Sequence, residues 1–127
     1  MDRVLLVGLG GAAGSVLRYL VGLWAPKALG TAFPYATLIV NVVGSFLIAA
    51  IMYAALQTSW ISVNTRLLLT TGVMGGLTTY STFNYETLRY IQEGAWRVAI
   101  TNVAVTLFGC LAAGLLGLAC ARAAIGR

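Results

Sequence analysis

Apolar residues dominate four long stretches of the chain, at about residues 4–24, 36–57, 66–91 and 97–120, and polar residues collect in the segments between them. Each stretch is close to the ~20 residues that a helix needs to cross the hydrocarbon core of a bilayer. Because the connecting segments are short, consecutive helices are expected to run antiparallel. The pattern predicts an all-α membrane protein with four transmembrane helices in a single membrane domain over residues 1–127.

The composition agrees with a membrane protein and excludes a soluble globule of this size. Of the 127 residues, 60% are hydrophobic and 9% are charged, and the mean hydropathy is +0.91. Such a chain has too little polar surface to coat a water-soluble core. The first apolar stretch is long, glycine-rich and contains Arg18, which is not typical of a cleaved signal peptide. We expect it to be retained as the first transmembrane helix.

The basic residues give the chain almost no preferred orientation. With four helices both termini lie on one side of the membrane, and the basic residues near helix ends divide 4 against 3: Arg3, Arg66, Arg122 and Arg127 on that side, and Lys27, Arg89 and Arg97 on the other. The eighth, Arg18, lies inside the first helix, nearer the second side. An excess of cytoplasmic Lys and Arg normally fixes orientation. A bias of one charge can suffice, but the near balance favours insertion in both orientations and an antiparallel dimer about a twofold axis in the membrane plane.

Several classes of function are disfavoured by what the chain contains. It has no His and only two Cys, both in the fourth stretch. Neither a metal cluster nor a nucleophile paired with a base is indicated, so we do not expect the protein to be an enzyme. The basic residues are scattered and lie mostly near helix ends, where they reach lipid headgroups. The net charge of +5 therefore predicts no binding of nucleic acid.

Glycine and hydroxyl residues interrupt the third apolar stretch at residues 75–84, Gly-Gly-Leu-Thr-Thr-Tyr-Ser-Thr-Phe-Asn. Backbone groups freed from a helix in hydrocarbon cost several kcal/mol each unless protein, water or an ion satisfies them. A break in the third helix is therefore expected, and it should line a cavity or site. By contrast, Gly10, Gly14, Arg18 and Gly22 recur every four residues in the first stretch and predict a close-packing face.

Four polar residues and Phe83, drawn from all four stretches, are expected at a similar depth. Counted from the side opposite the termini, they lie roughly 6 to 13 Å into the membrane at the helical rise, and they could share one cavity: Arg18, Asn41, Phe83, Glu86 and Asn102. Amide and hydroxyl donors suit an anion better than a cation. Tyr80 and Phe83, three residues apart, can also present the positive edges of their rings, although ordinary core packing is the alternative. Arg18 and Glu86 could pair or flank the cavity mouth.

The residues that carry these predictions resemble the Fluc (CrcB) fluoride channels over nearly the whole chain. The resemblance rests on residues 75–83 with Glu86, on Asn41 within Leu-Ile-Val-Asn-Val-Val-Gly, and on the glycine-rich first helix that ends in Arg18. It implies an antiparallel, dual-topology homodimer in a prokaryotic cell membrane (plasma or inner membrane). The dimer would export cytoplasmic fluoride passively and selectively and so give fluoride resistance.

The resemblance also implies the site residues. Fluoride would contact Asn41, Tyr80 and Phe83, and Ser81 and Thr106 would continue the path. A structural Na⁺ at the dimer axis would be held by the backbone carbonyls of Gly75 and Thr78 from both copies.

Two departures from the family and two alternatives stand beside this interpretation. The first ring of the family's aromatic pair is usually Phe and is Tyr80 here, and Cys110 and Gly114 stand where the family often has Ser and Thr. A small multidrug-type exporter has the same size and helix number, but it should carry a carboxylate in the first helix, where this chain has Arg18. The other alternative is a non-conducting partner subunit of a heterodimeric channel.

Overall fold

A computed structural model describes residues 2–126, and its regular structure is entirely helical. The elements in chain order are α1 (Arg3–Leu29), α2 (Tyr35–Gln57), α3 (Val63–Leu67), a π-helical turn (Leu68–Met74), α4 (Gly75–Leu77), α5 (Tyr80–Gln92) and α6 (Trp96–Ile125). The predicted all-α class is confirmed. Arg127, which contributed to the predicted charge balance, lies outside the described residues.

Three of the helices, α1, α2 and α6, are long and apolar enough to cross a membrane. Their exposed surface carries many large apolar side chains, as expected for helices that face lipid rather than water. The bounds of α2 agree with the prediction within a residue, whereas α6 continues past residue 120 to Ile125.

The predicted end of the first helix at residue 24 was wrong. α1 continues through Pro26 and ends at Leu29, before Gly30 with φ 88°. A proline in a helix removes one backbone donor and disfavours continuation. Here the loss falls in the last turn of the helix, and the Gly30 N–H donates to the Pro26 carbonyl at 3.0 Å, so the turn closes around the proline.

The third apolar stretch forms a broken segment, residues 63–92, that comprises α3, the π-helical turn, α4 and α5. Two helix starts within it are capped by hydroxyls: the Ser62 Oγ accepts from the Thr65 N–H at 3.1 Å at the start of α3, and the Thr79 Oγ1 accepts from the Thr82 N–H at 3.2 Å at the start of α5. Side-chain oxygens at this position satisfy backbone donors that a helix start leaves unpaired. The second cap starts α5 as a separate helix.

The two halves of the broken segment pack on different partners. The first half, through α4, lies along α1, whereas α5 lies against α6, and α2 packs against α6 and touches both halves. The buried core sits where α2 meets the first half, at Val40, Met74 and Leu77. The break therefore lies where the segment passes from one neighbour to the other.

Small residues permit the close contact between α1 and the broken segment. Gly72 lies against Gly10, and a Cβ added at Gly14 or Gly76 would collide with backbone atoms of the facing helix. These contacts confirm the predicted close-packing face at Gly10 and Gly14. Gly22 is not part of it, because a Cβ there would meet nothing within 4 Å.

Candidate functional site

The break in the third segment lies at Thr78 and Thr79, one turn later than its glycines suggested. Thr78 (φ −85°, ψ 153°) and Thr79 (φ −153°, ψ 114°) are both extended. Gly75 and Gly76 are helical, and Gly76 serves close packing on α1 rather than a turn. The predicted break is thus present, but two threonines form it.

Asn41 of α2 pairs with the backbone of the break through both ends of its amide. Its Oδ1 accepts from the Thr79 N–H at 2.8 Å, and its Nδ2 donates to the Thr79 carbonyl at 3.1 Å. The side chain is buried, with 8% of its surface exposed. An amide nitrogen has two N–H groups, so one donor of Asn41 is not needed for this pairing.

Tyr80 and Phe83 form an edge-to-face pair in the first turn of α5. Their ring centroids are 5.7 Å apart and the ring planes meet at 65°, the arrangement that aromatic quadrupoles favour. Tyr80 is 78% exposed. The predicted neighbouring position of the two rings is confirmed, and the exposed ring extends from the protein surface instead of packing in its core.

A groove of about 1060 Å³ joins the break to the aromatic pair and to α6. Its wall is mostly apolar, and among the residues that line it are the following predicted site residues: Asn41, Gly75, Thr78, Tyr80, Phe83 and Thr106. Arg18, Ser81, Glu86 and Asn102 are not in its lining. The structure therefore brings six of the predicted site residues together and places the others around them.

Arg18 and Glu86 have separate partners in the described part of the chain. Arg18 Nε donates to the Gly76 carbonyl at 2.9 Å, just before the break. Glu86 accepts a short hydrogen bond from the Thr37 hydroxyl of α2. The two charged side chains thus hold α1 and α2 to opposite sides of the break. Of the two arrangements considered, direct pairing and flanking of the cavity mouth, direct pairing does not form among the described residues.

A hydrogen-bonded chain connects α6 to α5 behind the groove. Asn102, only 2% exposed, donates through Nδ2 to the Thr87 hydroxyl at 3.0 Å and accepts from the Thr106 hydroxyl at 3.3 Å. Thr87 in turn donates to the Phe83 carbonyl at 2.8 Å. Polar contacts of this kind join helices in membrane bundles. This series of hydrogen bonds fixes α6 to the turn that carries the aromatic pair.

Ser81 lies beside the break on the first turn of α5. Its Oγ is 3.3 Å from the Thr79 Oγ1, and the residue is exposed. The Thr79 hydroxyl thus has three hydroxyl or backbone neighbours within the turn, because it also contacts the Thr82 side chain at 3.1 Å. A small cluster of hydroxyls therefore surrounds the start of α5.

Three polar residues of the site, Thr37, Thr79 and Thr87, were not predicted to have these roles. The sequence does hold a signal for each: Thr37 is four residues before Asn41, Thr87 is four residues after Phe83, and Thr79 precedes a helix start at the spacing of a capping residue. Thr37 and Thr87 pair with Glu86 and Asn102 on other elements, so these two contacts became visible only in the fold, whereas the cap at Thr79 lies within its own turn.

The carbonyls of the break have the chemistry of a site for a hard cation. Gly75 is exposed, and both Gly75 and Thr78 line the groove. No group of three or more His, Cys, Asp or Glu side chains within residues 2–126 could hold a metal ion. Any cation bound here would therefore depend on backbone and hydroxyl oxygens, as in channel filters built from carbonyls.

Comparison with known proteins gives consistent matches over most of the chain. The family model described as CrcB-like protein, Camphor Resistance (CrcB), matches residues 5–118. A protein of Sorangium cellulosum named fluoride-specific ion channel FluC is 51% identical over 122 residues, which cover 96% of each chain. Proteins of the same name from Anaeromyxobacter dehalogenans and Clostridium perfringens are 54% and 49% identical and cover 89% and 84% of this chain, and 90% and 82% of their own.

These relatives are bacterial, and the chain has three long helices that are apolar enough to cross a membrane. It is a multi-pass protein of the bacterial cell membrane, as predicted. The matched residues include every predicted site residue and the break itself. By its family model and its relatives, the chain belongs to the CrcB-like family, and the resemblance inferred from residues 75–83, Asn41 and Arg18 is confirmed.

Proposed function

We propose that the protein is a fluoride-selective channel through which cytoplasmic fluoride leaves the cell passively. The observation that carries the proposal is the extended break at Thr78 and Thr79, with Asn41 paired to it and the edges of Tyr80 and Phe83 in the same groove. The names of the relatives support fluoride as the ion. The protein is accordingly an ion channel and not an enzyme.

The anion path runs along the groove from the aromatic pair to α6. The second N–H of the Asn41 amide and the ring edges of Tyr80 and Phe83 replace water around the small anion. Ser81 supplies a hydroxyl beside the first ring. Thr106 supplies another; its hydroxyl donates to Asn102 Oδ1 at 3.3 Å and can rotate towards the path.

Arg18 and Glu86 act beside the path and not on it. Arg18 raises the local concentration of anions and at the same time holds the Gly76 carbonyl. Glu86 keeps the Thr37 hydroxyl in place by accepting its hydrogen bond. A charge at this depth costs about 2.5 to 3.5 kcal/mol on insertion scales, which these hydrogen bonds partly offset.

The functional unit is an antiparallel dimer of chains that each span the membrane four times, with the broken segment as the third span. The groove is open in a single copy, and Gly75 and Tyr80 are exposed at its edge. Polar backbone does not face lipid at membrane depth, so a second copy in the opposite orientation should cover the groove. Each copy then provides a polar route through one half of the bilayer. The two copies together complete two pores that cross the membrane.

A structural Na⁺ at the twofold axis would be held by the Gly75 and Thr78 carbonyls of both copies. When bound, the ion supplies positive charge that holds the broken segments of the two copies together. The residues suit it, because Gly75 is exposed at the groove and Thr78 presents a carbonyl at the break. The dependence of dimer stability on Na⁺ tests this part of the proposal.

Selective conduction needs neither a nucleotide nor a proton gradient. Fluoride enters cells as neutral HF and is trapped as the anion at the higher internal pH. A negative membrane potential then drives it out through a passive pore. Larger halides are excluded because the donors and ring edges of a narrow path fit only a small anion.

Passive conduction can be tested with liposomes that contain the purified protein and potassium fluoride. If the protein is a channel, external fluoride measured with a selective electrode rises only after valinomycin provides a path for K⁺. The small multidrug-type alternative predicts that a pH gradient drives uptake of a lipophilic cation into the same liposomes. Such uptake, without valinomycin-dependent release of fluoride, would contradict the channel.

A further inference from the structure

The break leaves some backbone carbonyls without a hydrogen-bond donor and others paired with one. Neighbouring side chains determine which carbonyls are paired. In a continuous α-helix each N–H donates to the carbonyl four residues earlier. The N–H groups of Thr79, Tyr80 and Thr82 would thus pair with the carbonyls of Gly75, Gly76 and Thr78.

Asn41 removes the first of these pairings. Its Oδ1 accepts the Thr79 N–H at 2.8 Å, so the Gly75 carbonyl loses its helical donor. The Nδ2 donates to the Thr79 carbonyl at 3.1 Å, and the two bonds hold the extended residue on both sides. Gly44, three residues later on α2, has no Cβ and lets the Thr78 methyl group lie against it.

Two further side chains complete the selection of carbonyls. The Thr79 hydroxyl accepts the Thr82 N–H at 3.2 Å, so the Thr78 carbonyl also loses its helical donor. The Gly76 carbonyl, between these two, instead receives Arg18 Nε at 2.9 Å. The carbonyls of Gly75 and Thr78 thus have no helical donor, whereas the carbonyl of Gly76 accepts from a cationic side chain.

We infer that Asn41 is a positioning residue for the backbone of the break, in addition to its place beside the anion. It keeps Thr78 and Thr79 extended and leaves the Gly75 carbonyl available to a cation. The identity of that cation as Na⁺ rests on the proposed function. The pairing between Asn41 and Thr79 does not.

The test compares two substitutions of Asn41 in the full-length protein. Asn41→Leu has similar size but cannot accept the Thr79 N–H. Asn41→Asp keeps an oxygen for that N–H and loses only the donor to the Thr79 carbonyl, while its charge should stop fluoride conduction. Asn84→Leu, a substitution of the same type at an exposed position of α5, is the matched control.

The first measurement is amide hydrogen exchange of a peptide that contains Thr79. We expect Asn41→Leu to change its exchange rate about tenfold, since a lost hydrogen bond of about 1.4 kcal/mol corresponds to that factor. Faster exchange indicates an open amide and slower exchange a helix closed over the break, and both support the inference. Asn41→Asp and Asn84→Leu should remain near the wild type. Unchanged exchange in Asn41→Leu would overturn the inference.

The second measurement is the Na⁺ concentration that gives half of the maximal thermal stabilisation. We expect it to rise about tenfold in Asn41→Leu and to stay near the wild-type value in Asn41→Asp and Asn84→Leu. A residue that only stabilised the fold would lower the melting temperature without changing this concentration. A lower melting temperature with an unchanged half-maximal concentration would therefore contradict positioning.

Two results keep the inference separate from the proposed function. If the wild type conducts no fluoride, the proposed function fails; if it shows no response to Na⁺, the sodium proposal fails, and hydrogen exchange still decides the inference. If Asn41→Leu does not fold, scalar coupling across the hydrogen bond in the wild type replaces it. Coupling of the Thr79 nitrogen to Asn41 Cγ supports the inference, and coupling to the Gly75 carbonyl carbon overturns it.

Discussion

Tyr80 is the residue at which we expect this chain to differ most from its relatives. The ring lies 5.7 Å from Phe83 in an edge-to-face arrangement and is 78% exposed at the edge of the groove. The ring edge, which is the part that attracts an anion, does not depend on the hydroxyl. The hydroxyl adds a polar atom at the start of the proposed path.

We expect Tyr80→Phe to keep fluoride flux within about threefold of the wild type, because the ring edge remains. Tyr80→Ile should lower it about tenfold, which corresponds to the loss of about 1.4 kcal/mol of stabilisation along the path. Initial efflux rates from liposomes at equal protein content test both. Equal losses in the two variants would show that the hydroxyl, not the ring, is what fluoride requires.

The Thr37–Glu86 hydrogen bond gives a second prediction at this scale. Removal of the hydroxyl in Thr37→Val leaves a half-buried carboxyl without its donor. The expected cost is about 1 kcal/mol of folding free energy, in the range measured for polar contacts between membrane helices. Thr37→Ser keeps the donor and should unfold like the wild type. Thermal unfolding in detergent measures both, and an equally unstable serine variant would contradict the role of the hydroxyl.

Residue types were readable from the sequence at this scale, whereas partners were not. Asn41 was singled out as an amide in an apolar helix, and Tyr80 and Phe83 because they lie three residues apart beside the predicted break; all three line the groove. The partner of Arg18 could not be foreseen, because it is a backbone carbonyl of another helix. The order of side chains along the sequence does not predict which backbone carbonyls a break in another helix leaves accessible.

Among the helices, too, features set by the local sequence were predicted, and features set by contacts with other helices were not. Apolar length predicted α2 within a residue at its start, because its ends coincide with Pro34 and a polar loop. The π-helical turn Leu68–Met74 had no signal of its own. Wide turns of this kind often occur at functional sites, and here the turn precedes the passage of the segment from α1 to α6.

Glycine contacts between elements give a prediction with an internal control. Gly14→Ala places a Cβ against the Val73 carbonyl, and we expect a loss of about 1 to 3 kcal/mol from overpacking. Gly22→Ala lies on the same helix with nothing within 4 Å of the added Cβ, and it should be neutral or slightly stabilising. Thermal unfolding of both variants tests the close-packing face, which would be refuted by equal effects at the two positions.

At the scale of the whole molecule, the open groove supports the proposed second copy, and the balanced charges support its opposite orientation. A single chain leaves Gly75 and the Tyr80 ring exposed beside the break. The sequence could indicate this assembly because orientation follows from counting charges. How the two copies fit together depends on side-chain packing across the axis, and no linear pattern predicts that.

Dual orientation predicts that each loop is reached from both sides of the membrane. In a variant with Cys110 and Cys120 replaced by Ala, Ser59→Cys places one thiol in the exposed loop after α2. A membrane-impermeant maleimide should label about half of the protein from outside intact cells, because the charge bias is nearly absent. Labelling of nearly all or nearly none of the protein would show a single orientation.

Efflux from liposomes that contain this chain alone, loaded with equal fluoride and chloride, tests the proposed channel most directly. Valinomycin starts release, and selective electrodes follow both ions in one sample. We predict rapid release of fluoride while chloride stays inside, because only the smaller anion fits among the donors and ring edges beside Asn41, Tyr80 and Phe83. Release of both ions at equal rates, or of neither, would contradict the proposal that this chain alone forms a selective fluoride path.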